Sequence, residues 1–189
     1  MSSAPIFTLE TERLLLRPWR TSDRIAFAAM NADSRVMEFL PSVLSRDKSD
    51  RLADHIEEHF QRHGYGPWAA ELRSDGSFIG YIGLNVPPFE AHFTPCVEIG
   101  WRLSFECWGK GLATEGARRA LRYGFETLGL EEVVSFTVPA NVRSRRVMEK
   151  LGMTHDAADD FDHPGLSAGN HLRRHVLYRM GRGGYASGS

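Results

Sequence analysis

Three stretches of this sequence hold residue types that can do chemistry. The first is ECWGKGLATEG, residues 106 to 116, where Gly109 and Gly111 straddle Lys110 directly ahead of helix-forming residues. Glycine takes backbone angles closed to other residues and lets a ligand approach with no Cβ in the way. A strand that turns through such a segment into a helix start aims several backbone N–H groups, and the positive end of the helix dipole, at one point. That is chemistry for a pyrophosphate. The second stretch is CVEIGWRLSF, residues 96 to 105, in which Glu98 is a carboxylate fit for general-base work. The third is HIEEH, residues 55 to 59, which matches the His-x-x-Glu-His spacing of inverted zinc proteases.

Each has a plainer reading. A GxG turn alone also serves as a tight connection between elements. Here the Walker pattern fails because Lys110 precedes the second glycine, and the dinucleotide fingerprint fails because Thr114 stands where its third glycine belongs. Glu98 is equally compatible with an ion-paired carboxylate. For HIEEH, eight histidines in the chain make a chance match easy and no third ligand is evident, so a solvent-facing helix surface is preferred and no metal is expected. His155, His163, His171 and His175 read as ordinary surface histidines.

The elements that must position these residues follow from the pattern of apolar side chains. RLLLRPW, ending near Pro18, reads as an edge or first strand. TSDRIAFAAMN reads as a short helix capped by Ser22 or Thr21, with Ile25, Ala28 and Ala29 inward. SRVMEFL reads as another helical piece, and residues 45 to 64 as a helix with Leu52, Ile56 and Phe60 on one stripe before Gly64. Two apolar runs around Asp75-Gly76 predict a hairpin. CVEIGWRLSF alternates, with Val97, Ile99, Trp101, Leu103 and Phe105 on one face and Glu98, Gly100, Arg102 and Ser104 on the other. After the glycine turn, Ala113, Ala117, Ala120, Leu121, Gly124 and Leu128 form the small-residue stripe of a helix able to lie close to a sheet. EVVSFTV is a strand, NVRSRRVMEKLG a helix between Asn141 and Gly152, and RRHVLYRM a last strand. The reading is one α/β (α+β) domain over residues 1–180, a mixed, mostly antiparallel sheet with a central strand-helix-strand crossover, followed by a Gly/Ser-rich flexible tail at 181–189.

Bulk properties agree. A chain of 189 residues buries a core without metal or disulfide support. The net charge of -1 gives no general pull toward nucleic acid or anionic lipid. Cys96 and Cys107, eleven positions apart along an extended stretch of roughly 36 Å, read as reduced packing residues. With no secretory pattern at the start and no membrane-length apolar run, a cytoplasmic location is expected.

In order along the chain, these motifs resemble the GCN5-related N-acetyltransferases (GNAT). That family's alternating strand enters a turn of the form Q/R-x-x-G-x-G/A, occupied here by Glu106, Cys107, Trp108, Gly109, Lys110 and Gly111, with Glu106 departing from the pattern. ANVRSRRVMEKLGM resembles the second signature, an Asn after the next strand and a short helix ending in Lys-Leu-Gly. The stretch from Val97 to Met153 is similar to the RimJ/RimL-like ribosomal-protein N-terminal acetyltransferases, and the likeness extends back to TERLLLRPW. It implies a sheet that splays at the crossover, with pantetheine pairing against the Glu98 strand. It implies acetyl-CoA bound by Ile99, Gly100, Trp101, Trp108, Gly109, Lys110, Gly111, Leu112, Ala113, Asn141, Ser144 and Arg146. It also implies an amine acceptor, either a peptide N-terminus or a small molecule, and a monomer or homodimer.

The chemistry then needs a neutral amine, oxyanion donors and a proton for the leaving thiolate. Glu98 is the candidate base and the N–H of Ile99 or Gly100 the candidate oxyanion donor. Many relatives place a Tyr where this chain has Met148, so Ser144 is the substitute acid, with Asn141 positioning the cofactor or a water. Ser144 serves equally as a helix-start residue satisfying backbone. Arg143, Arg145 and Arg146 are candidates for the cofactor's 3'-phosphate or form a solvated basic face. A non-catalytic acyl-CoA sensor is the alternative of another class.

Overall fold

The computed structural model describes residues 7–187. Its strands are β1 (Leu9–Glu10), β2 (Leu14–Arg17), β3 (Pro67–Leu72), β4 (Phe78–Asn85), β5 (Glu98–Leu103), β6 (Glu132–Thr137), β7 (Thr154–His155), β8 (Phe161–Asp162) and β9 (Arg174–Gly181). They lie in the order β1-β2-β3-β4-β5-β6-β9-β7, with β8 beside β9. Every neighbouring pair is antiparallel except β5 and β6. That one parallel step requires a crossover, supplied by α3 (Leu112–Arg122) and a π-helical turn over Tyr123–Thr127. The expected α/β architecture is therefore present.

Helices cover both faces of the sheet. α1 (Asp23–Ala32) and α2 (Arg46–His63) lie on one face, where the Phe27 ring meets Tyr81 at 6.2 Å. α3 lies on the other, seated through Gly116 against Ile82, the residue after Tyr81 and so on the opposite side of β4. A Cβ at Gly116 would come within 2.4 Å of the Ile82 side chain, so α3 approaches β4 as closely as it does only because that position is glycine. α4 (Val142–Leu151) follows β6, and the hairpin turns through Gly76 at φ 73°.

Several sequence expectations are corrected. β2 is an interior strand, because the two-residue β1 pairs along its outer side. In α1 the inward residues are Phe27, Met30 and Asn31, while Ile25 is 69% exposed. Ser22 gives no side-chain cap; the buried Asp23 instead accepts the Arg20 N–H and two Arg17 hydrogen bonds. Arg17 therefore rotates the helix away from the expected stripe. Residues 34–39 are hydrogen-bonded turns, not a helix. Gly181 closes β9 and α5 (Arg182–Ser187) follows, with Tyr185 stacked on Phe125 at 4.8 Å, where a flexible tail was expected. Residues 188 and 189 lie outside the described residues. Cys96 and Cys107 are both free, as expected.

Candidate active site

The parallel step is also where the sheet opens. β5 and β6 share one bridge, Glu98 opposite Val134, made as the Val134 N–H donates to Val97 O at 2.9 Å. The matching bond of a parallel bridge takes the Ile99 N–H. The Ile99 carbonyl is held too, by the Ser135 hydroxyl at 2.8 Å. Alternation turns the Gly100 N–H away, into the complete β4–β5 ladder opposite Gly83. Neither amide expected to hold an oxyanion is thus open. Trp101 is the first β5 residue past the bridge whose main chain faces the gap.

At the end of β5 the chain passes through a 3-10 turn (Phe105–Cys107) into the glycine turn, where Gly109 and Gly111 have φ of 73° and 79°. L-residues avoid that left-handed region, so both glycines are required by the backbone. The Trp108 indole N–H donates to Leu103 O at 2.9 Å, pinning the turn to its strand. The first intrahelical bond of α3 runs from Glu115 N–H to Gly111 O, and no side chain caps the helix. The N–H groups of Leu112, Ala113 and Thr114 accordingly point outward without a helical acceptor. By contrast, Ser45 caps α2 and Asn141 caps α4. A cluster of unclaimed amides behind two positive-φ glycines fits a pyrophosphate.

This helix start is braced by residues that the sequence pattern did not reveal. Glu115 accepts hydrogen bonds from the Thr11 hydroxyl at 2.6 Å, the Arg13 N–H at 2.9 Å and the Arg13 guanidinium at 2.7 Å. Arg13 also donates to Lys110 O at 2.9 Å. Arg13 and Glu115 are far apart in sequence, so no local periodicity signals the contact. Partial burial pushes the Glu115 pKa up, but the hydrogen bonds from Thr11 and Arg13 together with the Arg13 charge outweigh it and hold the carboxyl below its ordinary value.

Glu98 lies across the sheet from this network. A Cβ placed on Gly100 would sit 3.8 Å from Glu98 Oε1, so the carboxyl leans along β5 over Gly100, on the face away from α3. The residue as a whole keeps some solvent exposure, yet burial of the carboxyl pushes its pKa up to about 8, opposed by the Asn85 side chain across the strand pair. It therefore exchanges its proton near pH 8 instead of in the acidic range.

The Acetyltransferase (GNAT) domain model matches residues 13–154. The chain belongs to the GNAT acetyltransferase family. It is 34% identical over 157 residues to the FsC-acetyl coenzyme A-N(2)-transacetylase of Aspergillus fumigatus, covering 78% of this chain and 65% of that relative's length. It is also 34% identical over 144 residues to YdaF of Bacillus subtilis (strain 168), provisionally named a ribosomal N-acetyltransferase, covering 73% of this chain and 74% of YdaF. Among solved structures, an acetyltransferase from Agrobacterium tumefaciens str. C58 superposes with a TM-score of 0.76 at 30% identity, over 93% of this chain and 94% of that one. The protein is an acetyl-CoA-dependent acetyltransferase.

Within this acetyltransferase the α4 residues divide. Both ends of the Asn141 amide are engaged locally, Oδ1 by the Ser144 N–H at 3.2 Å and Nδ2 by Thr137 Oγ1 at 3.0 Å. Ser144 is half-buried on the first turn. Arg146 is exposed, whereas Arg143 reaches the glycine turn, with its guanidinium 4.7 Å from the Trp108 ring and ion-paired to Glu38. Arg145 instead bonds Tyr178 Oη and Pro139 O. Met148 is 1% exposed in the core, which explains the apolar residue there. The HIEEH residues assemble no metal site: His59 Nδ1 donates to Tyr65 O at 2.9 Å while Nε2 accepts the Val86 N–H at 3.0 Å. His55 is exposed beside Glu58, and no metal-holding cluster occurs among the described residues. No described helix is long and apolar enough to cross a membrane.

Proposed function

We propose that the acetyltransferase acts on a protein or peptide N-terminal α-amine, by direct attack within a ternary complex. The observation that carries this reading is the Glu98 carboxyl at the single β5–β6 bridge, leaning over Gly100 beside the splay, where burial raises its pKa into a range that can exchange a proton with an amine. An α-ammonium, which loses its proton at about 7.7–8.0, gives it to a carboxylate base more readily than does a polyamine or lysine ammonium near 10.4. Acetyl-CoA supplies the activated acetyl group. Gly109, Lys110, Gly111, Leu112 and Ala113 hold the pyrophosphate through main-chain N–H groups, with Trp108 and Arg143 beside it. Trp101 presents its main chain to the gap, where its N–H is the donor for the oxyanion. Glu98 takes the amine proton, directly or through a water, and the Ser144 hydroxyl gives its proton to the departing sulfur and regains one from solvent water, while Glu98 releases its own to solvent. Asn141 acts by fixing the α4 start.

The name given to YdaF supports a ribosomal-protein acceptor and a RimJ/RimL-like placement. The name of the Aspergillus relative favours a second reading, acetylation of a small-molecule amine. Thiol release from acetyl-CoA, measured with N-terminal peptides, polyamines and amino sugars and followed by mass spectrometry, separates them. Peptides should be acetylated at the α-amine alone. Turnover confined to the small amines defeats the peptide reading, and acetyl-CoA binding without turnover of any amine would show a sensor.

A further inference from the structure

One row across the sheet carries two arginines in opposite circumstances. Arg17 pairs with Ala69, Ala69 with Tyr81 and Tyr81 with Arg102, so the four residues share one face and one register line. Arg17 is 4% exposed and its charge is answered by Asp23 through two hydrogen bonds at 2.7 and 2.8 Å and by Glu71 at 2.6 Å. Arg102 is half-buried, yet among the described residues its guanidinium donates to a neutral group, Asn31 Oδ1 at 2.7 Å. Its guanidinium lies 5.4 Å from the Tyr81 ring, and no carboxylate among the described residues pairs with it. Arg24 and Arg179, also partly buried, are each matched by two carboxylates, Arg24 by Asp54 and Glu57 and Arg179 by Glu132 and Asp159.

A half-withdrawn guanidinium with one neutral acceptor and an aromatic ring beside it has most of its five donors without a protein partner among the described residues and no carboxylate against its charge. Its aim is nonetheless fixed. Asn31 is fully buried and donates through Nδ2 to the fully buried Ser49 at 2.9 Å, so the acceptor that orients Arg102 is itself locked between α1 and α2. Arg102 projects from the same face of β5 as Glu98 and Gly100, four residues from the candidate base. From the charge without a carboxylate against it, the fixed aim and the shared face we infer that Arg102 is a specificity residue for the acceptor, receiving a carboxylate carried by the amine substrate.

This inference rests on the acetyl-transfer reading and narrows its substrate class. Four strand positions span roughly 13 Å of backbone, and with the Glu98 carboxyl leaning over Gly100 the amine and the carboxylate are still separated by several bonds of the substrate. A simple α-amino acid, whose two groups share one carbon, does not reach. A peptide with an acidic residue next to its N-terminus does, as does a long ω-amino acid. A polyamine places a second cation against an arginine and is disfavoured.

The test uses matched probes with the full chain: peptide amides carrying Asp or Asn at position two or three, and 5-aminopentanoate against 5-aminopentanamide. Both acetylation and calorimetric binding to the CoA-loaded protein are measured. A charge-assisted hydrogen bond contributes about 1.5–3 kcal/mol, so each carboxylate member should be favoured by about 10- to 100-fold. Arg102→Met should bring each pair within about twofold while acetyl-CoA affinity stays constant. Arg102→Gln, compared by thermal melting, guards against misfolding, and the wild-type comparison needs no variant at all. Equal or absent use and binding of the carboxylate members overturns the assignment, as does a preference that survives Arg102→Met. Failure to bind acetyl-CoA would instead remove the acetyl-transfer reading beneath it.

Discussion

The strand-helix units β5–α3 and β6–α4 are built alike, yet one helix start is closed and the other open. At α4 the Asn141 side chain accepts the Ser144 N–H and ties itself back to Thr137. At α3 a positive-φ glycine stands where the cap would be, and no side chain takes the first-turn amides. The same contrast recurs between Arg17, answered by two carboxylates, and Arg102, answered by none. Structural ends satisfy their own polar groups. Binding ends leave them exposed and invest in bracing from elsewhere, here from Thr11 and Arg13 through Glu115.

The largest effect should come from closing the open end. Gly111→Val puts a β-branched residue at φ 79°, with its Cβ 3.6 Å from the Arg13 guanidinium, in the cradle itself. Acetyl-CoA affinity by calorimetry should fall by about 100-fold or more, by the strain and by loss of amide approach. Affinity within a few fold of wild type would mean the uncapped helix start is not the phosphate site.

Next comes Glu98→Gln, which imitates the protonated carboxyl. Acetyl transfer should fall by about 10²–10⁴ above pH 8 and much less at pH 6.5, where Glu98 already carries its proton. Wild-type kcat should rise with pH through about 8 and that limb should vanish in the variant. The sign for stability is opposite. A carboxyl whose pKa is raised on folding favours the folded state below its unfolded pKa of 4.5, and that contribution is lost as pH rises through about 8. Thermal melting should therefore decline across that window in the wild type and stay flatter in Glu98→Gln.

The smallest effects probe the closed end. Asn141→Ala removes a cap and should cost about 1 kcal/mol of stability with little change in acetyl-CoA affinity. Ser144→Ala should leave the melting temperature unchanged and lower kcat by about tenfold, if its hydroxyl carries the leaving-group proton. A large loss of turnover in Asn141→Ala, with stability intact, would reverse the comparison between the two helix starts.

Much of the site was legible from local pattern. Strict alternation placed Glu98, Gly100 and Arg102 on one face of β5, and the glycine spacing announced a turn that only glycine can make before α3. Local pattern failed where a partner on another element overrode it. Asp23 turned inward for Arg17 and left Ile25 exposed. The two-residue strands β1, β7 and β8 are too short to show a period, and the helical turn after Gly181 forms around a Tyr185–Phe125 stack between distant positions.

By itself, then, the chain order of alternating strand, glycine turn, small-residue helix, strand and Asn-capped helix determined the family and the cofactor class, because backbone conformation and helix-end chemistry are set within a few residues. Only the tertiary structure decided which amides face the gap, that Asn141 is engaged in its cap and that Arg102 has no carboxylate partner. Those are questions of what else lies within hydrogen-bond reach. For the gap and for Arg102 the answers come from residues 36 and 71 positions away, brought there by the sheet, and for Asn141 from Thr137 and Ser144 close by.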